Sequence, residues 1–355
     1  MKFFLRIISY LVKLLLLLGI LFNINISLAT DYVISANQSD QIVMVNNDTL
    51  TVQSGVTVNT SADDSVEFEG HSFSTSDTVV TNAGTIIGTA DTLQGQSSTN
   101  FTLNNSGTIE ATQSNCGRAP AVHLHRANGT VTIVNSGTIT SGSSDTIKTH
   151  DSSITLSITN SGTISGCQRV LNIGQMNSGV QATLTNSGTI SGTTNVLYIY
   201  SAGTDVGIGS ITNSGTISAS NGYVTEINNV NDVTITNTGT ISATADAITN
   251  IGKNSSDGNV IVNKGTISSG NSNHDLTVYS SDGLQSLTND QGGNDALKLE
   301  GYLPVNYVFL ANSTSDFGKL AVDSENGATT FSISTDSTLS ATTYESVITG
   351  VTSTR

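Results

Sequence analysis

The ten residues SITNSGTISG, at 157–166, decide how this chain folds. Ahead of the Asn160-Ser161-Gly162 step, Leu156, Ile158 and Asn160 alternate with Thr155, Ser157 and Thr159. Alternation with period two is a strand signal, with Leu, Ile and Asn on one face and hydroxyls on the other. The step itself is built from residues that tolerate positive φ, so a sharp turn is expected between Ile158 and Ile164. Ile164 then rejoins the inward set.

The phrase recurs. Asn-x-Gly-Thr-Ile occurs eight times, with its Asn at 82, 105, 135, 160, 186, 213, 237 and 263, at spacings of 23, 30, 25, 26, 27, 24 and 26. A period near 26 marks one structural unit per repeat. Two degenerate copies extend the array: VTVNTS places Asn59 23 residues before the first copy, and LTNDQG places Asn289 26 residues after the last. Beyond each turn lies a third, less constant apolar segment, such as AVHLH at 121–125, DTIKTH at 145–150, RVLNIG at 169–174, NVLYIY at 195–200 and DAITNI at 246–251.

Three short strands per repeat, without helical periodicity, predict an all-β fold: a right-handed parallel β-helix of about ten coils of roughly 26 residues. The Leu-x-x-Leu-x-Leu framework of leucine-rich repeats is missing, and a propeller blade needs about 40 residues. Coils about 4.8 Å apart set each residue over its counterpart, so identical side chains form ladders and ten coils make a rod about 50 Å long. The expected organisation is a leader at 1–29, an N-terminal cap at 30–55, the coils at 56–295 and a C-terminal β junction or cap at 296–355.

Lys2, Arg6 and Lys13 precede an apolar run ending in Ser27-Leu28-Ala29, the pattern of a secretory signal peptide cleaved after Ala29. Only about ten residues after Lys13 are continuously apolar, against about 20 for a spanning helix. Export through the inner membrane is expected, with the periplasm, cell surface or exterior as destination. A net charge of −15, with four arginines and five lysines after residue 29, excludes phosphate-neutralising nucleic-acid binding. The composition is rich in Ser, Thr, Asn and Gly and has no Trp, but the regular Ile, Val and Leu positions separate it from a disordered chain.

Tandem TNSGTISG coils behind a signal peptide resemble the passenger region of bacterial autotransporters, the type V secreted proteins of Gram-negative bacteria. The resemblance covers roughly residues 50–295. It implies a rod, and because such passengers include adhesins, proteases and esterases, it says little of activity. It also implies a C-terminal β-barrel translocator of about 250 residues, which the sequence to Arg355 does not contain. A truncated product, a separate outer-membrane translocator as partner, or another export route would each account for that departure.

Two clusters carry candidate chemistry. In DDSVEFEG, alternation puts Glu67 and Glu69 on one face about 7 Å apart, a candidate cation site beside Asp63 and Asp64, set against the reading of a solvated strand. Between 116 and 169 lie Cys116, Arg118, His123, His125, Arg126, Lys148, His150, Asp151, Cys167 and Arg169. Aligning the third segments stacks His123 over Lys148 and His125 over His150. One outward column reads His123, Lys148, Asn172, Tyr198, Glu226, Thr249, and a second His125, His150, Gly174, Tyr200.

Stacked histidines are candidate ligands for a metal or an anionic sugar, and Tyr198 and Tyr200 for stacking on sugars or proteins. The competing reading is an exterior that varies because packing does not constrain it. Cys116 and Cys167 sit two coils apart, nearly 10 Å by coil spacing and too far for a bridge, unless the extra loop of the 30-residue coil folds across. No Gly-x-Ser-x-Gly elbow, His-Glu-x-x-His helix or phosphate loop occurs, and no cofactor is implied.

The expectation is a non-enzymatic rod that presents its varied face to surface glycans or proteins of other cells. The alternatives are a polysaccharide-active lyase or hydrolase on the same rod, and a truncated fragment without independent function.

Overall fold

The computed structural model describes residues 29–351, apart from 46, 61–63, 69–76, 97–99, 114–118, 143–144, 151–152, 177–181, 202–208, 255–256, 271–273 and 292–294. The leader lies outside the described residues, bar Ala29. Every named element is a strand, and the strands form three parallel sheets. Sheet I holds 13 strands, from Asp31–Ile34 to Thr330–Ile333; sheet II holds nine, from Thr57–Asn59 to Thr266–Ser268; sheet III holds 13, from Ile42–Met44 to Ile348–Thr349. In the repeats the chain visits I, II and III in turn, which makes a parallel β-solenoid of about ten full coils.

The opening phrase is the corner between sheets I and II. Leu156, Ile158, Asn160 and Ile164 are all buried. Ser161 and Gly162 both donate their backbone N–H to the carbonyl of Asn135 one coil earlier, at 2.8 and 3.2 Å. Gly162 does not need the left-handed region expected of it, for it is absent from the positive-φ glycines. Its requirement is space: a Cβ there would fall on the carbonyl oxygen of Gly137 in the preceding coil. The same close approach recurs between Gly188 and Gly162.

Inside the corner the asparagines form one ladder. Asn135 Nδ2 donates to Asn160 Oδ1 at 2.8 Å, and Asn160 Nδ2 to Asn186 Oδ1 at 2.8 Å. The chain of such bonds runs from Asn82 to Asn289. Each amide also donates to a carbonyl of the next coil, as Asn160 does to Thr189 at 3.2 Å. A buried amide costs free energy unless it is bonded, so the column is tolerable only because both ends of every internal amide find partners.

Asn289 joins as expected, but Asn59 does not. Its strand pairs with Thr85–Gly88 in sheet II, where it is exposed. The ladder position of that coil is Val52, which pairs with Asn82. The corner there is a different turn, with Val56 N–H donating to Gln53 at 3.2 Å and Gly55 at φ 78°.

Both terminal segments continue the stack. Within 30–55, Asp31–Ile34 pairs with Thr49–Val52, and Ile42–Met44 pairs with Val66–Phe68. Within 296–355, strands add to sheets I and III as far as Thr330–Ile333 and Ile348–Thr349, while sheet II stops at Thr266–Ser268. Beyond that last strand Gln291 Oε1 accepts from Ile267 N at 2.8 Å and from Asn263 Nδ2 at 3.2 Å, so a side chain takes the place of a further strand at the edge of sheet II.

Candidate functional site

Sheet III is where the constant phrase gives way. Its registers pair His123 with Lys148, Lys148 with Asn172, Asn172 with Tyr198, Tyr198 with Glu226, and Glu226 with Thr249, which is the first outward column expected from the sequence. The column continues toward the N-terminus through Gln94 and Glu67. The second column begins as expected with His125 on His150, then meets a register shift between Ile173 and Met176. Met176 pairs with Ser201, and Tyr200 with Asn228 in the next coil, so Gly174 and Tyr200 do not extend an unbroken stack. The side chains of His150 and Tyr200 lie outside the described residues.

The first column is not free of packing constraints. In six coils the third segment carries a polar or charged residue two positions before the residue that precedes the column position, and that side chain reaches diagonally to the column residue one coil later. His123 Nδ1 lies 2.5 Å from Asp91 Oδ2. Asn172 Nδ2 donates to Asp145 Oδ2 at 3.1 Å, and Asn195 Nδ2 to Glu226 Oε2 at 3.0 Å. Thr277 Oγ1 donates to Asp246 Oδ2 at 2.8 Å, and His274 Nδ1 sits 3.1 Å from Glu300 Oε2. The guanidinium of Arg169 stands 4.6 Å from the ring centroid of Tyr198, completing six diagonals of one geometry.

These pairs explain why the face varies as it does. A carboxylate only accepts, so the partner of Asp91, Asp145 or Asp246 must be a donor, and His123, Asn172 and Thr277 meet that condition. Where the donor sits on the lower coil, as with Asn195, the column residue becomes the acceptor Glu226. Asn172 is buried, and the His123 side chain is only 18% exposed. The partner residues Asp91, Asp145, Asn195 and Asp246 were missed as site residues, although an Asp or Asn opening DTL, DTI, NVL and DAI is visible in the sequence.

The Lys148 rung is one that departs from the scheme. The diagonal partner of Lys148 would be Pro120, which has no polar side chain, and Lys148 Nζ instead approaches Asp145 in its own strand at 3.8 Å. Beside it, the rings of His123 and His125 stack with centroids 6.0 Å apart and planes 23° from parallel. His123, His125, Lys148, Arg169 and Tyr198 therefore bring basic and aromatic side chains together on an otherwise acidic chain, with the Asp91 and Asp145 carboxylates among them.

The other candidates fare differently. Glu67 accepts from Gln41 Nε2 at 3.2 Å, and Glu69, its expected cation-site companion, lies outside the described residues. Among the described residues no group of three His, Cys, Asp or Glu is arranged to hold a metal ion. Cys167 is disulfide-bonded; Cys116, the one other cysteine in the sequence, lies outside the described residues.

Comparison with protein-family models, with curated proteins and with solved structures finds no match in any of the three.

Proposed function

We propose that this chain is an exported, passenger-like rod with a structural and adhesive role, which meets its partners through the outer face of sheet III. The supporting observation is a contrast between two outward columns. On sheet II the residue before the core Ile or Val is Thr on all nine rungs, Thr57 through Thr266. On sheet III the column from Glu67 to Thr249 changes residue at every step. Both columns lie on the non-core side of their strands, although Asn172 and Thr249 are covered by their neighbours, so strand geometry alone does not account for the variety. Surface glycans or proteins of other cells are the proposed partners, and export by the autotransporter route would require a translocator on a separate chain or further along the same one.

The strip around His123, His125, Lys148 and Tyr198 is the proposed contact point. Imidazole and ammonium groups offer donors to hydroxyls and carboxylates, and the Tyr198 ring offers a flat surface. The test is binding of the exported protein to a glycan array and to whole cells. Binding that falls at least tenfold in Lys148→Ala and Tyr198→Ala, with Thr216→Ser unchanged, supports the reading. Absence of any binding, or binding indifferent to these changes, removes it. Turnover of acidic or neutral polysaccharides by the same protein would favour an enzyme on the same rod.

A further inference from the structure

We propose that the two ends of sheet I are complementary, and that the processed chain associates head to tail with a second copy of itself. Among the described residues, the last strand, Thr330–Ile333, has no strand beyond it, and the first, Asp31–Ile34, has none before it. Each leaves a row of backbone N–H and C=O groups without a ladder partner on its outer edge. At the C-terminal end, Phe331 stacks in register on the buried Tyr307, and Ile333 on the buried Phe309. Phe331 and Ile333 thus point the way the core points, yet they are 48% and 51% exposed, with no further strand stacked on them among the described residues.

The N-terminal end is the matching half. Tyr32 pairs with the buried Leu50 and Ile34 with the buried Val52, so Tyr32 and Ile34 also point inward. The spacing is the same at both ends, an aromatic residue and then an aliphatic one two positions on. The Asn ladder also stops short of both ends. Its column passes to Val52 and Ile34 at the start, and to Phe309 and Ile333 at the finish. A second copy whose Asp31–Ile34 lay parallel on Thr330–Ile333 would put Tyr32 over Phe331 and Ile34 over Ile333, aromatic on aromatic and aliphatic on aliphatic, as the Ile133, Ile158 and Leu184 rungs of the same sheet do. Sheet III offers the same continuation, with Ile348 in register on the core residue Leu320 at one end and the inward Ile42 at the other.

A head-to-tail contact of this kind uses two different surfaces, so it does not close on itself and produces linear chains. The proposal rests on the leader being removed after Ala29, which places the new terminus at Thr30, one residue before the edge strand. It does not depend on the adhesive role of sheet III, whose test is read on a separate face.

The experiment uses the full chain, exported and processed, with its terminus confirmed by N-terminal sequencing. Light scattering across a concentration series, with electron microscopy, is expected to show rods that lengthen in whole-molecule steps. Ile333→Lys and Ile34→Lys should each give monomers, whereas mixing the two variants should give dimers and nothing longer, since one intact edge of each kind remains. Ser332→Lys and Val33→Lys, which point outward on the same strands, should leave assembly unchanged and show that a lysine there does not unfold the edge. A leader that stays attached, a monomer at all concentrations, or oligomers indifferent to both inward lysines would overturn the proposal.

Discussion

The corner between sheets I and II and the outer face of sheet III solve the same problem, joining one coil to the next, by opposite means. At the corner the central coils use one residue set: Asn bonds to Asn, and Gly sits against Gly. On sheet III the coils are also joined side chain to side chain, but the pairs differ from rung to rung. The corner is crowded by backbone, so only one residue fits and it must recur. The face has room for any pair whose donor and acceptor match. Repetition therefore reports steric necessity, and variety reports complementarity within pairs rather than an absence of constraint.

The sharpest way to break this contrast is at the corner glycine. Gly162→Ala puts a Cβ on the Gly137 carbonyl, an atom that moves only if two coils separate. We expect a loss above about 3 kcal/mol, the range of severe core strain, read as a lower urea midpoint or a split transition. Next comes the ladder. Asn160→Leu keeps the branched four-atom skeleton but leaves Asn186 Oδ1 without its donor and removes the acceptor of Asn135 Nδ2. The expected cost is about 2–4 kcal/mol, combining lost bonds with the desolvated groups left behind. Equal midpoints for Asn160→Leu and the native chain would mean the ladder contributes nothing net.

Counting residues from one Asn-x-Gly-Thr-Ile to the next yields the coil, and the third segments align well enough to place His123 over Lys148 and Tyr198 over Glu226. Three things escape such counting. Asn59 lies at a repeat-like distance from Asn82, but the Gln53-Ser54-Gly55 turn replaces the usual corner, and Val52 takes the ladder position. The diagonals of sheet III escape because each joins residues about one coil apart in sequence whose identities never recur; only the strand register brings them together. The break after Ile173 escapes for a similar reason, since an extra residue in an outward strand leaves the core pattern untouched.

A double-mutant cycle sharpens the face. Asp145→Ala and Asn172→Ala, alone and together, should show a coupling of about 0.5–1.5 kcal/mol, well below either corner effect. A coupling near zero would return the column to the reading in which it varies because nothing holds it. The half-exposed pair Glu300 with His274 should show less, since solvent screens it.

The smallest effect concerns Asp275, at the start of a late sheet III strand. Burial pushes its carboxyl above the ordinary carboxylate range, while the backbone N–H of Lys298, donating at 2.8 Å, hydrogen bonds from Ser269 and the Lys298 charge pull it part of the way back. A raised folded-state value means that the neutral form favours folding. Below the ordinary carboxylate value both folded and unfolded states hold the proton, and no stability is lost. As pH rises, the unfolded chain ionises first, and stability falls until the folded carboxyl has ionised too. Asp275→Asn retains an oxygen for Lys298 N–H and cannot ionise, so it escapes this loss. The variant should match the native chain near pH 3 and exceed it at pH 7, by less than about 1 kcal/mol, in urea midpoints taken across that range. A native chain more stable than the variant at pH 7 would show that the Lys298 contacts outweigh the cost of burying the charge.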